Sequence, residues 1–340
     1  MNLNLAERQY GSDHTGLICG YLFSPGSAGR ELDSAEVADW LAQPESATGN
    51  EFVWLHFNLT NSSCERWLKA NLDLSEFYFE ALREGTRSTH IEYADNALVA
   101  VVNDVLYEFA FEASDISTLW LSADRRMLVS SRTKPLRSVD KLRAAVKRRE
   151  AFRSPVELLV HLLRDQADVL VQIVRQTTSR VDSIEDKLLQ NRVDTQRADL
   201  GALRRVLVRL QRLLAPEPNA LFRLLNRPPR WIASEDLQEL RQSTEEFAVV
   251  LNDLTALGER IKLLQEEIAA QLNEQTNRSL FVLTIVTVLA LPINIVAGLL
   301  GMNVGGIPLA QHPHGFWVVI SLVATVTALA AIWAFRKRPG

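Results

Sequence analysis

Uncharged side chains that carry an oxygen atom recur at the spacing of a helix near the C-terminal end of the sequence. Thr284, Thr287 and Asn294 are the polar side chains of an uncharged run from Leu280 to Leu300. Seven residues before Thr284 lies Asn277, and four after Asn294 lies Gly298, so these positions share one face of a helix. Such groups either hydrogen-bond to a neighbouring helix or line a path filled with water. An asparagine in mid-span favours the water-filled path.

That face predicts the lining of an ion pore. The chemistry would be passage of a hydrated cation, whose bound waters donate hydrogen bonds to amide and hydroxyl oxygens. The expected pore-lining residues are Asn277, Leu280, Thr284, Thr287, Leu291, Asn294 and Gly298.

The tripeptide Gly301-Met302-Asn303 follows this run directly. The carbonyl oxygen of Asn303 could accept hydrogen bonds from the first-shell waters of a metal ion, a mode that suits ions that dehydrate reluctantly. We expect Gly301 to allow a sharp exit from the helix, and Met302 to pack without adding charge. The alternative is that Asn303 only caps the helix, since asparagine is also favoured there.

Two histidines lie further along the same loop, at His312 and His314. Imidazole suits zinc, whereas carboxylate suits magnesium, and the stretch just after Asn303 holds no acid. Two ligands do not complete a tetrahedral zinc site, so an ordinary polar loop is the alternative.

Two membrane spans must position these groups. Residues 280–300 and 316–335 are uncharged, and about 20 apolar residues cross a hydrocarbon core as a helix. We call these the first and the second span. Arg278 precedes the first span and Arg336, Lys337 and Arg338 follow the second, while the loop 301–315 has no Lys or Arg. The positive-inside rule therefore predicts cytoplasmic termini and an outer loop.

The remainder divides into two expected regions. Residues 1–135 alternate β-rich and helical segments, which predicts a cytosolic α/β domain with α/β/α layers and turns at Asn103-Asp104 and Ala123-Asp124. Residues 136–279 are expected to be a cytosolic helical region, with breaks at Pro216, Pro218 and Pro228-Pro229. A seam of apolar residues from Leu237 onward predicts one long stalk helix that begins at Ser234 and continues through the first span. Residues 280–340 form the expected transmembrane domain.

These features together resemble the CorA superfamily of divalent-cation transporters. The resemblance rests on the long helix, the two C-terminal spans and Gly301-Met302-Asn303 after the first of them. The following VGGIP, with WLHFN (Trp54 to Asn58) and REGTRS (Arg83 to Ser88), looks like the zinc-transporting ZntB branch. The resemblance implies a homopentameric funnel in a bacterial inner membrane, with a ring of Asn303 side chains at the pore entrance. Zn²⁺ is the implied cargo, and Mg²⁺ or Co²⁺ is the alternative.

Other classes of function find less support in the sequence. We find no phosphate-binding or hydrolase motif, so neither an enzyme nor an ATP-driven pump is expected. A net charge of −4 without a basic, aromatic-rich stripe argues against nucleic acid. Cys19 and Cys64 are too few for a cysteine metal site, and no resident cofactor is expected. The expected partners are divalent metal ions, the lipid bilayer and further copies of the chain. A membrane-anchored sensor or scaffold is the alternative from another class.

Overall fold

The computed structural model describes residues 11–44, 48–85, 89–112, 114–189, 196–302 and 312–336. The chain forms two compact units, Met1–Leu264 and Gln265–Gly340. All strands of the described residues lie in the first unit, and both candidate spans end in the second. The domain boundaries expected after residues 135 and 279 remain predictions.

The first unit is organised around a seven-stranded sheet in the order β3-β1-β4-β8-β7-β6-β5. Its central strands β4 and β8 run parallel, and every other neighbouring pair is antiparallel. A short β2-β9 pair lies apart from it. The strands are β1 (Leu17–Phe23), β2 (Ser27–Ala28), β3 (Arg30–Leu32), β4 (Phe52–Asn58), β5 (His90–Ala94), β6 (Ala97–Val105), β7 (Ile116–Ala123), β8 (Met127–Arg132) and β9 (Ala151–Phe152).

Helices cover both faces of this sheet. The helices of the described residues are α1 (Ser34–Leu41), α2 (Cys64–Asn71), α3 (Glu76–Glu84), α4 (Arg137–Lys147), α5 (Pro155–Leu189), α6 (Gln196–Leu214), α7 (Pro216–Asn226), α8 (Ser234–Leu300) and α9 (Gly315–Arg336). One buried cluster joins Trp54 and Leu121 to Leu142 of α4 and Leu159 of α5. A second joins the opposite sheet face to α1, α2 and α3. These two cores confirm the expected α/β/α layers.

Two local expectations were wrong, for identifiable reasons. Asn103 and Asp104 do not form a turn but pair within β6, opposite Thr118 and Ser117 of β7. The turn falls at Asp95-Asn96, where both residues adopt positive φ. Asn103 and Asp104 can stay in the strand because their side chains find hydrogen-bond partners there. The expected break at Pro216 is present, because α6 ends at Leu214 and α7 begins at Pro216. Pro218 does not break α7, because it lies in the first turn, where the missing N–H has no helical acceptor.

The long helix is confirmed, with α8 running from Ser234 to Leu300. The predicted seam is buried at Leu240, Phe247, Leu254, Ile261 and Ile268. Beyond Ile268 no residue of α8 is buried in the single chain.

His56 of β4 is a core histidine. Its Nδ1 lies 2.8 Å from Ser130 Oγ, and Arg132 Nε donates to its Nε2 at 3.3 Å. Burial, together with the charge of Arg132, holds the pKa of His56 well below its ordinary value. This imidazole is therefore neutral and structural.

A buried glutamate joins three layers of the first unit. Glu217 in α7 is fully buried, and its Oε2 accepts from Gln166 Nε2 of α5 at 3.3 Å. Gln166 in turn donates to the Asn103 carbonyl of β6 at 2.7 Å. The Oε1 atom of Glu217 has no hydrogen-bond partner among the described residues. Burial, and to a smaller extent the neighbouring Asp104, raises the pKa of Glu217 to about 8.

The raised pKa of Glu217 predicts a stability that falls with rising pH. The folded chain keeps the Glu217 proton above pH 4.5, the ordinary pKa of this carboxyl group. The loss of stability therefore begins near pH 4.5 and is complete above about pH 8. Glu217→Gln should therefore gain several degrees in unfolding temperature relative to the native chain at pH 9, but not at pH 5. Tryptophan fluorescence of the full-length protein in detergent measures this. The exposed Glu80→Gln serves as control, and a pH-independent difference for Glu217→Gln would contradict the assignment.

Candidate functional site

The terminal turns of α8 bring the predicted pore-lining residues onto one face. An α-helix turns by about 100° per residue, so the seven positions fall within an arc of about 100° around the axis. They are positions 277, 280, 284, 287, 291, 294 and 298. All seven are exposed in the single chain. Because α8 is continuous over these positions, they share one face, and their role as a pore lining stays a prediction.

A different face of α8 lies toward α9, where Val296 lines an apolar cavity together with Val319 and Val323 of α9. The partly buried positions of this part of α8 include Phe281, Ile285, Leu289, Pro292 and Val296, which recur at spacings of three and four. Their centre lies about 130° around the helix from the centre of the polar face. The second helix of the same chain thus leaves the polar face uncovered.

The hydroxyl groups on this face donate to their own helix. Thr284 Oγ1 donates to the Leu280 carbonyl at 2.8 Å, and Thr287 Oγ1 donates to the Thr284 carbonyl at 2.9 Å. Each hydroxyl oxygen keeps lone pairs for an external donor. Asn294 makes no hydrogen bond with any described residue, so its amide must find water or another chain.

The signature tripeptide is described only in part. The Gly301 N–H donates to the Ala297 carbonyl at 2.9 Å, and a Cβ on Gly301 would stand 3.0 Å from that same oxygen. Gly301 does not adopt positive φ, so close approach of the backbone, not a left-handed cap, accounts for the glycine. Met302 is 49% exposed in the single chain, which differs from the expected packing. Asn303 lies outside the described residues.

The two loop histidines are near each other. The ring centroids of His312 and His314 are 6.1 Å apart, and the His314 N–H donates to His312 Nδ1 at 3.2 Å. The Nε2 atom of His312 and both ring nitrogens of His314 remain as potential ligands. Within the described part of the chain, no group of three or more His, Cys, Asp or Glu residues is arranged to hold a metal ion.

Acidic residues of the helical region do not add a site. Asp182 and Glu185 of α5 both pair with Arg260 of α8. That ion-pair cluster explains their positions without a bound cation.

Comparison with known proteins shows which protein family this chain is similar to. A model of the CorA-like Mg²⁺ transporter protein family matches residues 49–337. The chain is 31% identical over 333 residues to the divalent cation transporter CmaX of Pseudomonas aeruginosa, which covers 96% of this chain and 97% of the relative. It is 25% identical over 301 residues to the zinc transport protein ZntB of Klebsiella pneumoniae, with coverages of 88% and 91%.

Solved structures agree with this grouping. The full-length CmaX structure superposes with a TM-score of 0.80 at 28% identity, covering 96% of this chain and 99% of the other. The CorA magnesium transporter of Methanocaldococcus jannaschii gives 0.74 at 19% identity, with coverages of 94% and 98%, and shows the shared fold. The resemblance to the CorA superfamily is confirmed, as is the combination of α/β domain, long helix and two candidate membrane helices.

Water contact along the polar face can be tested with single cysteines. Thr287→Cys should react with a charged, membrane-impermeant thiol reagent about tenfold faster than Ile285→Cys, because a thiol reacts as the hydrated thiolate. Native Cys19 and Cys64 give little background, since both are buried and burial raises each pKa to about 12. Rates would be measured by mass spectrometry on the protein in lipid vesicles. Equal rates at the two positions would contradict a hydrated face.

Proposed function

Because this chain belongs to the CorA-like family of divalent-cation transporters, we propose that it carries Zn²⁺ across a bacterial inner membrane through a homopentameric pore. The observation that carries the proposal is the uncovered polar face of α8, with Asn294, which has no hydrogen-bond partner among the described residues. A pore formed by several copies of this face would hydrate Asn294, Thr284 and Thr287 together.

Repetition of the chain follows from geometry. Two helices cannot enclose a water-filled path, and α9 lies toward another face of α8, with which it lines an apolar cavity. Closed rotational symmetry would repeat the α8 face around an axis, so that each residue of the face becomes a ring. Five copies is the number that the family resemblance implies.

The residues that line the proposed pore would contact hydrated ions. Between Leu280 and Leu300 there is no acidic or basic side chain, so the path would be built from neutral oxygens and apolar rings. At its outer end, a ring of Asn303 carbonyl oxygens would meet the incoming hydrated cation. Gly301 and Met302 would hold the approach to that ring.

Support for zinc comes from the loop and from part of the relatives. The stretch from Asn303 to Pro308 carries no acid, and His312 and His314 offer imidazole nitrogens instead. Zinc transport proteins are among the relatives, although the CmaX protein, named for divalent cations, has the higher identity. A Mg²⁺ or Co²⁺ channel on the same fold is therefore the second candidate.

The orientation follows from charge. Arg278 and Arg336 flank the two spans on the side proposed to be cytoplasmic, and the loop 301–315 between them has no Lys or Arg. A membrane-anchored sensor or scaffold would need no polar face along its first span, so that alternative leaves Asn294 unexplained.

Metal choice separates the two transport candidates. In vesicles that contain the purified protein, zinc uptake should exceed magnesium uptake by about tenfold at equal free ion, because the loop presents nitrogen ligands rather than carboxylates. Isotope or fluorescent-indicator flux measures both ions in one preparation. Magnesium flux without zinc flux would establish the second candidate.

Replacement of Asn303 tests the entrance ring. Asn303→Gly would keep or improve a helix cap but remove the carbonyl oxygens, so metal flux should fall by about tenfold or more. Met302→Leu, a neighbouring exchange of similar volume, should keep most of the flux. Native mass spectrometry should give the same pentameric mass for both variants and the parent. A correctly assembled Asn303→Gly protein with full flux would reduce Asn303 to a helix cap.

A further inference from the structure

Several loops of the first unit meet at a cleft that the proposed transport path does not use. The turn between β5 and β6, the turn between β7 and β8, the segment after α2 and the connection from α7 to α8 line a cavity of about 790 Å³. A neighbouring cavity of about 510 Å³ shares Arg125, Arg126 and Trp231 with it. The larger volume is in the range of sites for small organic ligands.

Four arginines give the larger cavity its cationic character. They are Arg125, Arg126, Arg227 and Arg230. Arg126 is held in place, because its Nη2 donates to the Gln43 carbonyl at 3.2 Å and its guanidinium lies 4.8 Å from the Trp40 ring. Arg125, Arg227 and Arg230 are exposed, and their side chains form no ion pair or hydrogen bond with the described residues. Their guanidinium donors are therefore available to a ligand.

Three acids also line the cavity, against four arginines. Asp124 accepts from the backbone N–H of Arg126 at 2.7 Å and of Met127 at 2.9 Å, so it shapes the turn that presents Arg125 and Arg126. Asp73 and Asp95 also line the cavity and have no arginine partner among the described residues. Their carboxylates are acceptors, which suit hydroxyl groups and not phosphate.

Aromatic surface lies beside the charges. Tyr93 is 44% exposed, and its hydroxyl is fixed by donating to Asn96 Oδ1 at 3.2 Å. Trp231 lines both cavities, directly after Arg230 and the rigid Pro228-Pro229 pair. A flat ring can stack on an exposed aromatic side chain of this kind.

We propose that this cleft binds a nucleotide. Its phosphates would be held by Arg227, Arg230 and Arg125, since guanidinium groups match phosphate oxygens in a two-pronged geometry. Tyr93 would stack on the base, and Asp73 or Asp95 would accept from sugar hydroxyls. The chain has no glycine-rich phosphate loop, so recognition rests on these side chains and serves binding rather than hydrolysis. The volume and the aromatic lining exceed what inorganic phosphate needs.

The full-length protein in detergent, with EDTA present, allows a direct binding test. The probes are ATP, adenosine and inorganic triphosphate, titrated by calorimetry at low ionic strength because salt screens exposed charges. ATP should bind about tenfold more tightly than adenosine, which lacks the charge-assisted hydrogen bonds. Absence of ATP binding at millimolar concentration overturns the proposal.

Variants separate a nucleotide site from general anion attraction. The pair R227Q/R230Q should weaken ATP binding about tenfold or more, whereas R223Q, an exposed arginine of α7 outside the cleft, should leave it unchanged. Y93A should weaken ATP but not triphosphate. Equal losses for R223Q and R227Q/R230Q, or triphosphate binding as tight as ATP in both Y93A and the parent, would each overturn the assignment. Unchanged unfolding temperatures of these surface variants show that the fold is intact.

Discussion

The amide of Asn294 sets the constraint on which the membrane region depends. A primary amide carries two donors and an acceptor, and hydrocarbon offers partners for none of them. Among the described residues Asn294 has no hydrogen-bond partner, and α9 lies beside a different face of α8, with which it lines a cavity. In a membrane this amide would need a partner from outside the described residues. The proposed hydrated path between copies of the chain would supply water and further chains together.

This constraint gives the two spans different roles. On α8, the face that carries Asn294 is separated by about 130° from the apolar face that meets α9. Partly buried Val319, Val323 and Thr327 on α9 recur every four residues and supply the matching face. An apolar second helix can then shield α8 from lipid on one side without competing for the polar side. A single span could not satisfy both requirements, because its whole outer surface would have to be apolar.

Much of this organisation was predictable from periodicity, and the failures have local causes. The spacing of residues along the sequence was enough to predict three features. They are the start of α8 at Ser234, the seam through Ile268 and the polar face from Asn277 to Gly298. The pair Asn103-Asp104 was predicted to form a turn because both residues are polar. The partners that satisfy them within the strand, Thr89 and Ser138, are distant in sequence or on another element, so the pattern did not reveal them. The arginine cleft was missed for the same reason, since Arg125 and Arg230 come together only through the fold.

The direction of the hydrogen bonds on the polar face bears on the sign of the ion. Thr284 and Thr287 donate their hydroxyl protons to carbonyls of their own helix, so each presents lone pairs outward. Waters bound to a cation turn their hydrogens outward, whereas waters around an anion turn them inward. In the proposed pore, the outward oxygens of Thr284 and Thr287 would therefore match a hydrated cation better than a hydrated anion without any fixed charge. Since no carboxylate would bind the ion strongly, each contact would be weak enough to release it to the next ring.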